Sequence, residues 1–190
     1  MKTVGILSLQ GDFDAHRRAV EQASAAAQTP ARAIEVRTAG ELAQCDALII
    51  PGGESTTMWK LLEMEQLVDP LRAFASQKPV YGSCAGAILL ASSVTHPAQA
   101  SLGVMDISVE RNAYGRQIDS RIGKVTIANG EMEAVFIRAP IIRRTGPEVR
   151  VLARYGGNPV WVEQGRHMVT TFHPELTNNT LVHQRLLEKL

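Results

Sequence analysis

The chain has 190 residues, 45% of them hydrophobic, with 20 basic and 19 acidic side chains and a formal net charge of +1. That length suits a single domain over residues 1–190 with a sizeable core, and the balanced charge gives no support for a nucleic-acid-binding surface. The two cysteines, Cys45 and Cys84, fall short of a disulfide framework, and no apolar stretch reaches the roughly 18 residues of a membrane helix.

In chain order, "TVGILSL" (3–9) reads as a strand buried on both faces, and "FDAHRRAVEQASAAA" as a covering helix. The apolar run at the N-terminus breaks at Gln10 and Asp12 with no small-residue cleavage site after it. It is a poor signal peptide, so a cytoplasmic protein is expected. "RAIEVR" (32–37) alternates as a strand should, and "DALIIP" (46–51) is a buried run stopped by Pro51, Gly52 and Gly53. "STTMWKLLEMEQL" has helical spacing, "KPVYG" is a brief strand, and "AGAILLAS" a brief helix.

This alternation implies an α/β fold: an open, mostly parallel, flavodoxin-like sheet flanked by helices. The second half changes character. "DISVERN", "KVTIA", "AVFIRAP", "EVRVLARY", "NPVWVEQG" and "HMVTTF" are short strand-like runs separated by turn residues. They predict additional antiparallel strands in the C-terminal half, closed by a helix over "TNNTLVHQRLLEKL".

Gly82-Ser83-Cys84-Ala85-Gly86 has the form G-x-C-x-G, which parallels the G-x-S-x-G elbow of hydrolases. There a strand turns sharply into a helix and the nucleophile takes the strained position at an exposed bend. The helix N-terminus favours the thiolate, and the Ala85 N–H would face a developing oxyanion. The other reading is that Cys84 merely packs and its glycines serve a turn. Cys45, in "AQCDALII", has no such setting and is expected to pack.

A cysteine nucleophile needs a proton acceptor. His16 and His183 lie in helical stretches beside charged or polar residues and are expected to be solvated; His96 lies in a loop and His167 starts a strand. His173 differs: "TTFHPEL" puts it at the end of an apolar strand, stiffened by Pro174, with Glu175 two residues on. Glu175 can then hold one imidazole nitrogen while the other faces Cys84, the arrangement of a triad. The alternative is a strand-end histidine beside a surface glutamate. The scattered histidines and cysteines have no metal-ligand spacing, so no metal is expected.

"LIIPGGEST" ends a buried strand in Gly52-Gly53, which lets backbone amides approach a ligand and could supply a second oxyanion donor. It lacks the phosphate-loop pattern. The competing reading is a plain strand-to-helix turn with Glu54, Ser55 and Thr56 as caps.

Together these stretches resemble the class I (triad) glutamine amidotransferases, and within them the glutaminase subunits that serve pyridoxal 5'-phosphate synthases. The resemblance runs through "LSLQGDFDAH", "LIIPGGESTTM", "VYGSCAGAILLA", "VERNAYGRQIDS", "VFIRAP" and "TTFHPELT", in that order. It implies hydrolysis of L-glutamine to L-glutamate and ammonia, with no cofactor. Cys84 would be the nucleophile, with His173 and Glu175 completing the triad. Gly53, Glu54 and Ser55 would bind glutamine together with Arg111, Ile137 and Arg138. Gly52, Gly53 and Ala85 would form the oxyanion hole. The ammonia would pass through a channel to a synthase partner in a large complex, with Gln10 and Gly11 near the contact. Ser83 departs from the threonine usual in this family. A glutaminase serving another synthase, such as that for imidazole glycerol phosphate, and a stress protein that merely uses a cysteine elbow are the rival readings.

Overall fold

The computed structural model describes residues 1–112 and 121–190. The first half runs β1 (Lys2–Leu7), α1 (Phe13–Ala27), β2 (Ala31–Val36), α2 (Ala39–Ala43), β3 (Ala47–Ile50), α3 (Ser55–Met64), α4 (Val68–Gln77), β4 (Val80–Ser83) and α5 (Ala85–Leu90). The second half contains β5 (Ala91–Thr95), β6 (Met105–Glu110), β7 (Arg121–Ile127), β8 (Gly130–Phe136), β9 (Ile141–Thr145), β10 (Arg150–Tyr155), β11 (Asn158–Gln164), β12 (His167–Thr170) and α6 (Leu181–Leu187). A single 3-10 turn, Pro174–Leu176, separates the last strand from the last helix.

Among the described residues, nine strands form one sheet in the order β2-β1-β3-β4-β12-β11-β10-β7-β8. Its first five members are parallel, and the pairs from β12 through β8 are antiparallel. The parallel part has the 2-1-3-4-5 order of flavodoxin-like folds, with β12 as its fifth strand. A second sheet, β5-β6-β9, stands apart from it. The expected parallel sheet with antiparallel additions in the C-terminal half is therefore what forms.

The inner parallel strands β1, β3 and β4 bury both faces, which explains their largely apolar runs, while the edge strand β2 is only partly covered. Val4, Ile6, Ala47, Ile49 and Tyr81 point into one core, covered by Val20 and Ala23 of α1 and Val182 and Leu186 of α6. Leu7, Leu48 and Ile50 point into the other, covered by Met58, Leu62, Leu71 and Leu89. Helix α1 starts where Asp12 accepts a hydrogen bond from the Ala15 amide, 3.2 Å, and buries Ala15, His16, Ala19, Val20 and Ala23 at helical spacing.

Some boundaries differ from those expected. The helix expected over 55–67 stops at Met64, short of Gln66 with its left-handed φ of 54°, and a further helix that the sequence reading did not mark, α4, follows from Val68. Helix α5 ends at Leu90 and passes straight into β5, and β9 forms from "IIRRT". Strand β12 stops at Thr170, so His173 stands three residues beyond its end. Among the described residues, no helix is long and apolar enough to cross a membrane.

Candidate active site

The cleft follows from the strand order. Strands β4 and β12 are parallel neighbours, with Gly82 opposite Val169 and Ser83 opposite Thr170. Their C-terminal ends therefore place Cys84 and His173 side by side, although 89 positions separate them in the chain. The segments after β1 and β3 open at the same edge. A cleft of about 360 Å³ lies there, lined by Gln10, Gly52, Gly53, Cys84, His173 and others considered below.

Cys84 sits at a strained bend. Its φ of 50° and ψ of −100° are disfavoured for a residue with a Cβ. The Cys84 amide donates to the Thr170 carbonyl, 2.8 Å, which ties the bend to the neighbouring strand. Both flanking glycines are required by close backbone approach. A Cβ on Gly82 would lie 2.5 Å from the carbonyl group of Gly86, and one on Gly86 would collide with the Ile50 carbonyl oxygen. Gly82→Ala is therefore expected to destabilise the fold by about 1–3 kcal/mol or more, since backbone atoms cannot swing aside as a flexible side chain can. Chemical denaturation checks this, and an unchanged midpoint would contradict the packing. The bend is not exposed as expected: Cys84 retains only 7% of its accessible surface, at the wall of the cleft.

His173 and Glu175 meet next to it. His173 Nδ1 lies 2.7 Å from Glu175 Oε1, and the Glu175 side chain is wholly buried, which removes the surface-glutamate reading. A Cβ on Gly52 would meet both the His173 ring and the Cys84 Cβ, so Gly52 is the close neighbour of both. Burial opposes protonation of His173, but the Cys84 sulfur and the Glu175 carboxylate beside it outweigh that, and its pKa is pushed up to about 10. Burial also opposes ionisation of Glu175. The imidazoles of His16 and His173 more than offset this and hold its carboxyl at about 2. The main-chain amide of His173 donates to the Val135 carbonyl, 2.8 Å. This link brings the end of β8 back over the sheet edge and delivers Ile137 and Arg138 to the cleft.

The loop after β3 forms the facing wall. Glu54 caps α3, accepting from the Thr56 and Thr57 amides at 3.1 and 2.7 Å and from the Thr57 hydroxyl at 2.6 Å. Burial works against its ionisation, yet these hydrogen bonds hold its pKa at about 2. Glu54 thus caps the helix, as the plain-turn reading expects, and also lines the cleft. Arg111 Nη2 donates to Thr56 Oγ1, 2.9 Å, and stands 3.6 Å from Glu54 Oε1. Ser55 is buried and donates to Gln99 Oε1, 2.9 Å. Gln10 Oε1 accepts from the Glu54 amide, 3.0 Å, and a Cβ on Gly11 would collide with the Gly52 carbonyl. Ala85 opens helix α5, where the first amides have no partner within the helix. The structure thus brings to one cleft Cys84, His173, Glu54, Ser55, Arg111, Ile137, Arg138, Gln10, Gly11, Gly52 and Gly53. Of the "RNAYGRQ" motif, residues 113–120 lie outside the described residues.

A thiol at a strained bend, with a carboxylate-held imidazole beside it, is suited to covalent attack on a carbonyl carbon. A sequence model of the SNO glutamine amidotransferase family matches residues 6–190.

The chain belongs to the SNO glutamine amidotransferase family.

Full-length relatives agree. The chain is 57% identical to the pyridoxal 5'-phosphate synthase subunit PdxT of Solibacter usitatus (strain Ellin6076), over 100% of each chain. It is 49% identical to the protein of the same name from Koribacter versatilis (strain Ellin345), over 97% of this chain and 94% of that one. A crystal structure of a glutamine amidotransferase superposes with a TM-score of 0.89 at 43% identity, covering 98% of this chain and 97% of the other.

In this member of the SNO glutamine amidotransferase family, Ser83 Oγ lies 3.4 Å from each Glu175 oxygen, so the hydroxyl faces the carboxylate. Two expectations need correction. His16 and His183 are not solvated: they retain 0% and 1% of their accessible surface. Each lies on the face of its helix that covers the sheet, among polar neighbours that point outward. Gln99 was not singled out, and no local pattern marks it, since its role comes from the approach of its loop to Ser55 and Thr56. Cys45 packs as expected: it is buried, unpaired with Cys84, and burial raises its thiol to about 11.

Proposed function

We propose that this chain is a glutaminase whose nucleophile is Cys84, and that it hands its ammonia to a partner subunit that makes pyridoxal 5'-phosphate. The observation that carries this reading is the succession Glu175, His173, Cys84 at the foot of the cleft, with Cys84 at the strained bend between β4 and α5.

The Cys84 thiolate attacks the side-chain amide carbon of L-glutamine. The resulting oxyanion is held by the Ala85 amide and one from the Gly52-Gly53 turn. The carbon–nitrogen bond then breaks as His173 gives its proton to the leaving nitrogen, and ammonia departs. Water loses a proton to His173 and adds to the thioester. The carbon–sulfur bond breaks, glutamate leaves, and the thiolate and imidazolium return. Glu175 balances the imidazolium charge and fixes its tautomer throughout. The substrate's two charged ends and apolar stem suit Glu54, Ser55, Arg111, Ile137 and Arg138 around the cleft.

The partner is proposed from the relatives, which are named as subunits of pyridoxal 5'-phosphate synthase. Activity is expected to depend on it. The 51–55 loop is rich in glycine and can change its peptide orientation cheaply. Its peptide bonds touch Gln10 and Gly11. A partner pressing on residues 10–11 would therefore set the Gly52-Gly53 donor, in the manner of binding-coupled assembly of a site. Gaining one oxyanion donor is worth about 10²–10³ in turnover. The test is steady-state release of glutamate from glutamine by the isolated chain, then with saturating cognate synthase subunit. No glutamate in either condition sinks the glutaminase reading. Equal rates in the two conditions sink the loop gating alone.

A further inference from the structure

Behind Glu175 lies a second layer of buried histidines that the scheme above does not use. His16, on α1, and His183, on α6, come from opposite ends of the chain and meet with Nδ1 of the first 3.0 Å from Nε2 of the second. The other ring nitrogen of His16, Nε2, stands 3.4 Å from Glu175 Oε1, the oxygen that His173 binds. Tyr81 packs edge-on against both rings, with centroids 5.9 Å away in each case. Among the described residues, His16 Nε2 and His183 Nδ1 have no hydrogen-bond partner at all.

The protons in this row can be placed by chemistry. An ionised carboxylate only accepts, so the His16 nitrogen that faces it must carry the proton. Burial lowers the pKa of His16 and takes that of His183 down to about 3, so both rings are neutral. A neutral His16 protonated on Nε2 has a bare Nδ1, which accepts the Nε2 proton of His183. The bare nitrogen left over is His183 Nδ1, and a buried acceptor without a partner is the more tolerable of the two kinds of orphan. Every N–H in the row then points toward Glu175.

We infer that His16, set in one tautomer by His183, is a positioning residue for the reaction: its Nε2–H, 3.4 Å away and bonded to nothing else, is held electrostatically against the same Glu175 oxygen that holds His173. The inference rests on the triad assignment above. Glu175 has a terminal torsion with a broad profile, and a carboxylate held by His173 alone could turn with it. A second N–H on Oε1 restrains that rotation and shares the oxygen's electron density. Oε1 is then a weaker base toward His173 Nδ1, so that proton stays on the ring, and the ring stays an imidazolium acidic enough to give its Nε2 proton to the leaving nitrogen. Ser83 Oγ, equidistant from both oxygens, is a secondary restraint.

The test compares His16→Phe, which fills the space without an N–H, with His16→Gln, whose amide nitrogen falls near the imidazole Nε2. Glutamine hydrolysis is measured with the cognate synthase subunit present. His16→Phe is expected to lower kcat by about 10- to 100-fold, the range for a lost hydrogen bond to a charged group. KM should stay near the wild-type value, because His16 touches no substrate, and His16→Gln should recover most of kcat. A folded His16→Phe protein with wild-type kcat overturns the inference, as does a loss that glutamine fails to rescue. Should the phenylalanine variant not fold, nitrogen-15 spectra of the histidine-labelled wild-type protein decide. A proton on His16 Nε2 is expected, and one on Nδ1 overturns the arrangement. Wild-type protein inactive on glutamine would sink the glutaminase reading instead, while the tautomer measurement still decides this one.

Discussion

Replacing Cys84 by alanine is expected to abolish glutamine hydrolysis and leave the fold in place. Removing the nucleophile of a serine triad costs on the order of 10⁶ in turnover, and a loss of that size is expected here. The fold should survive because little depends on the sulfur, which stands 3.9 Å from the Ile137 carbonyl oxygen, while alanine meets the same backbone strain as cysteine. Cys84→Gly is an informative companion. It releases a strain of about 1–3 kcal/mol at φ 50°, against a glycine entropy cost of about 0.5–1 kcal/mol. It should therefore be inactive yet more stable than Cys84→Ala. Cys45→Ala is the control and should keep activity, since Cys45 lies outside the cleft among apolar residues. Glutamate release by Cys84→Ala at a rate near wild type would end the assignment of the nucleophile.

Glu175→Gln should lower kcat far more than it changes KM. The amide oxygen can still accept from His173 Nδ1, but the charge that balances the imidazolium is gone. The amide also brings two N–H groups into a wholly buried place where His16 and Ser83 face it. One of them can turn to His173 Nδ1 and select the tautomer that points a proton at Cys84. The corresponding aspartate-to-asparagine change in a serine triad costs about 10⁴ in turnover. A smaller loss, on the order of 10²–10³, is expected here, because a thiol is intrinsically more acidic than a serine hydroxyl and leans less on its base for deprotonation. Steady-state kcat and KM for glutamine check it, and an unchanged kcat would remove Glu175 from the mechanism.

The features legible in the chain alone are those whose cause is local. Gly82 and Gly86 stand two residues either side of Cys84, and that spacing reports a backbone bend too tight for a Cβ. Residues 4–7 and 47–50 carry no polar side chain because both faces of those parallel strands are covered. His-Pro-Glu puts a carboxylate within reach of its own histidine, so that contact needs no other element. Even so, one local signal was masked. Pro70 lies in the first turn of α4, where its missing N–H costs nothing, so that helix went unread beside the stronger pattern of α3.

What depends on which segments become neighbours is not fixed by any local pattern. Strand β12 pairs with β4, and only that pairing sets His173 against Cys84 and turns two separate motifs into one site. Glu54 reads equally as a cap or a ligand in the sequence; the fold shows the cap and places it, with the start of α3, on the cleft wall. His16 and His183 look like surface histidines because their sequence neighbours are polar. Yet helices α1 and α6 pack together on the sheet and turn those two rings inward, where burial keeps them neutral and aims them at Glu175. Sequence records a residue's chemistry and its immediate neighbours along the chain. Burial, and with it protonation, is decided by the segments that arrive from far away and exclude water.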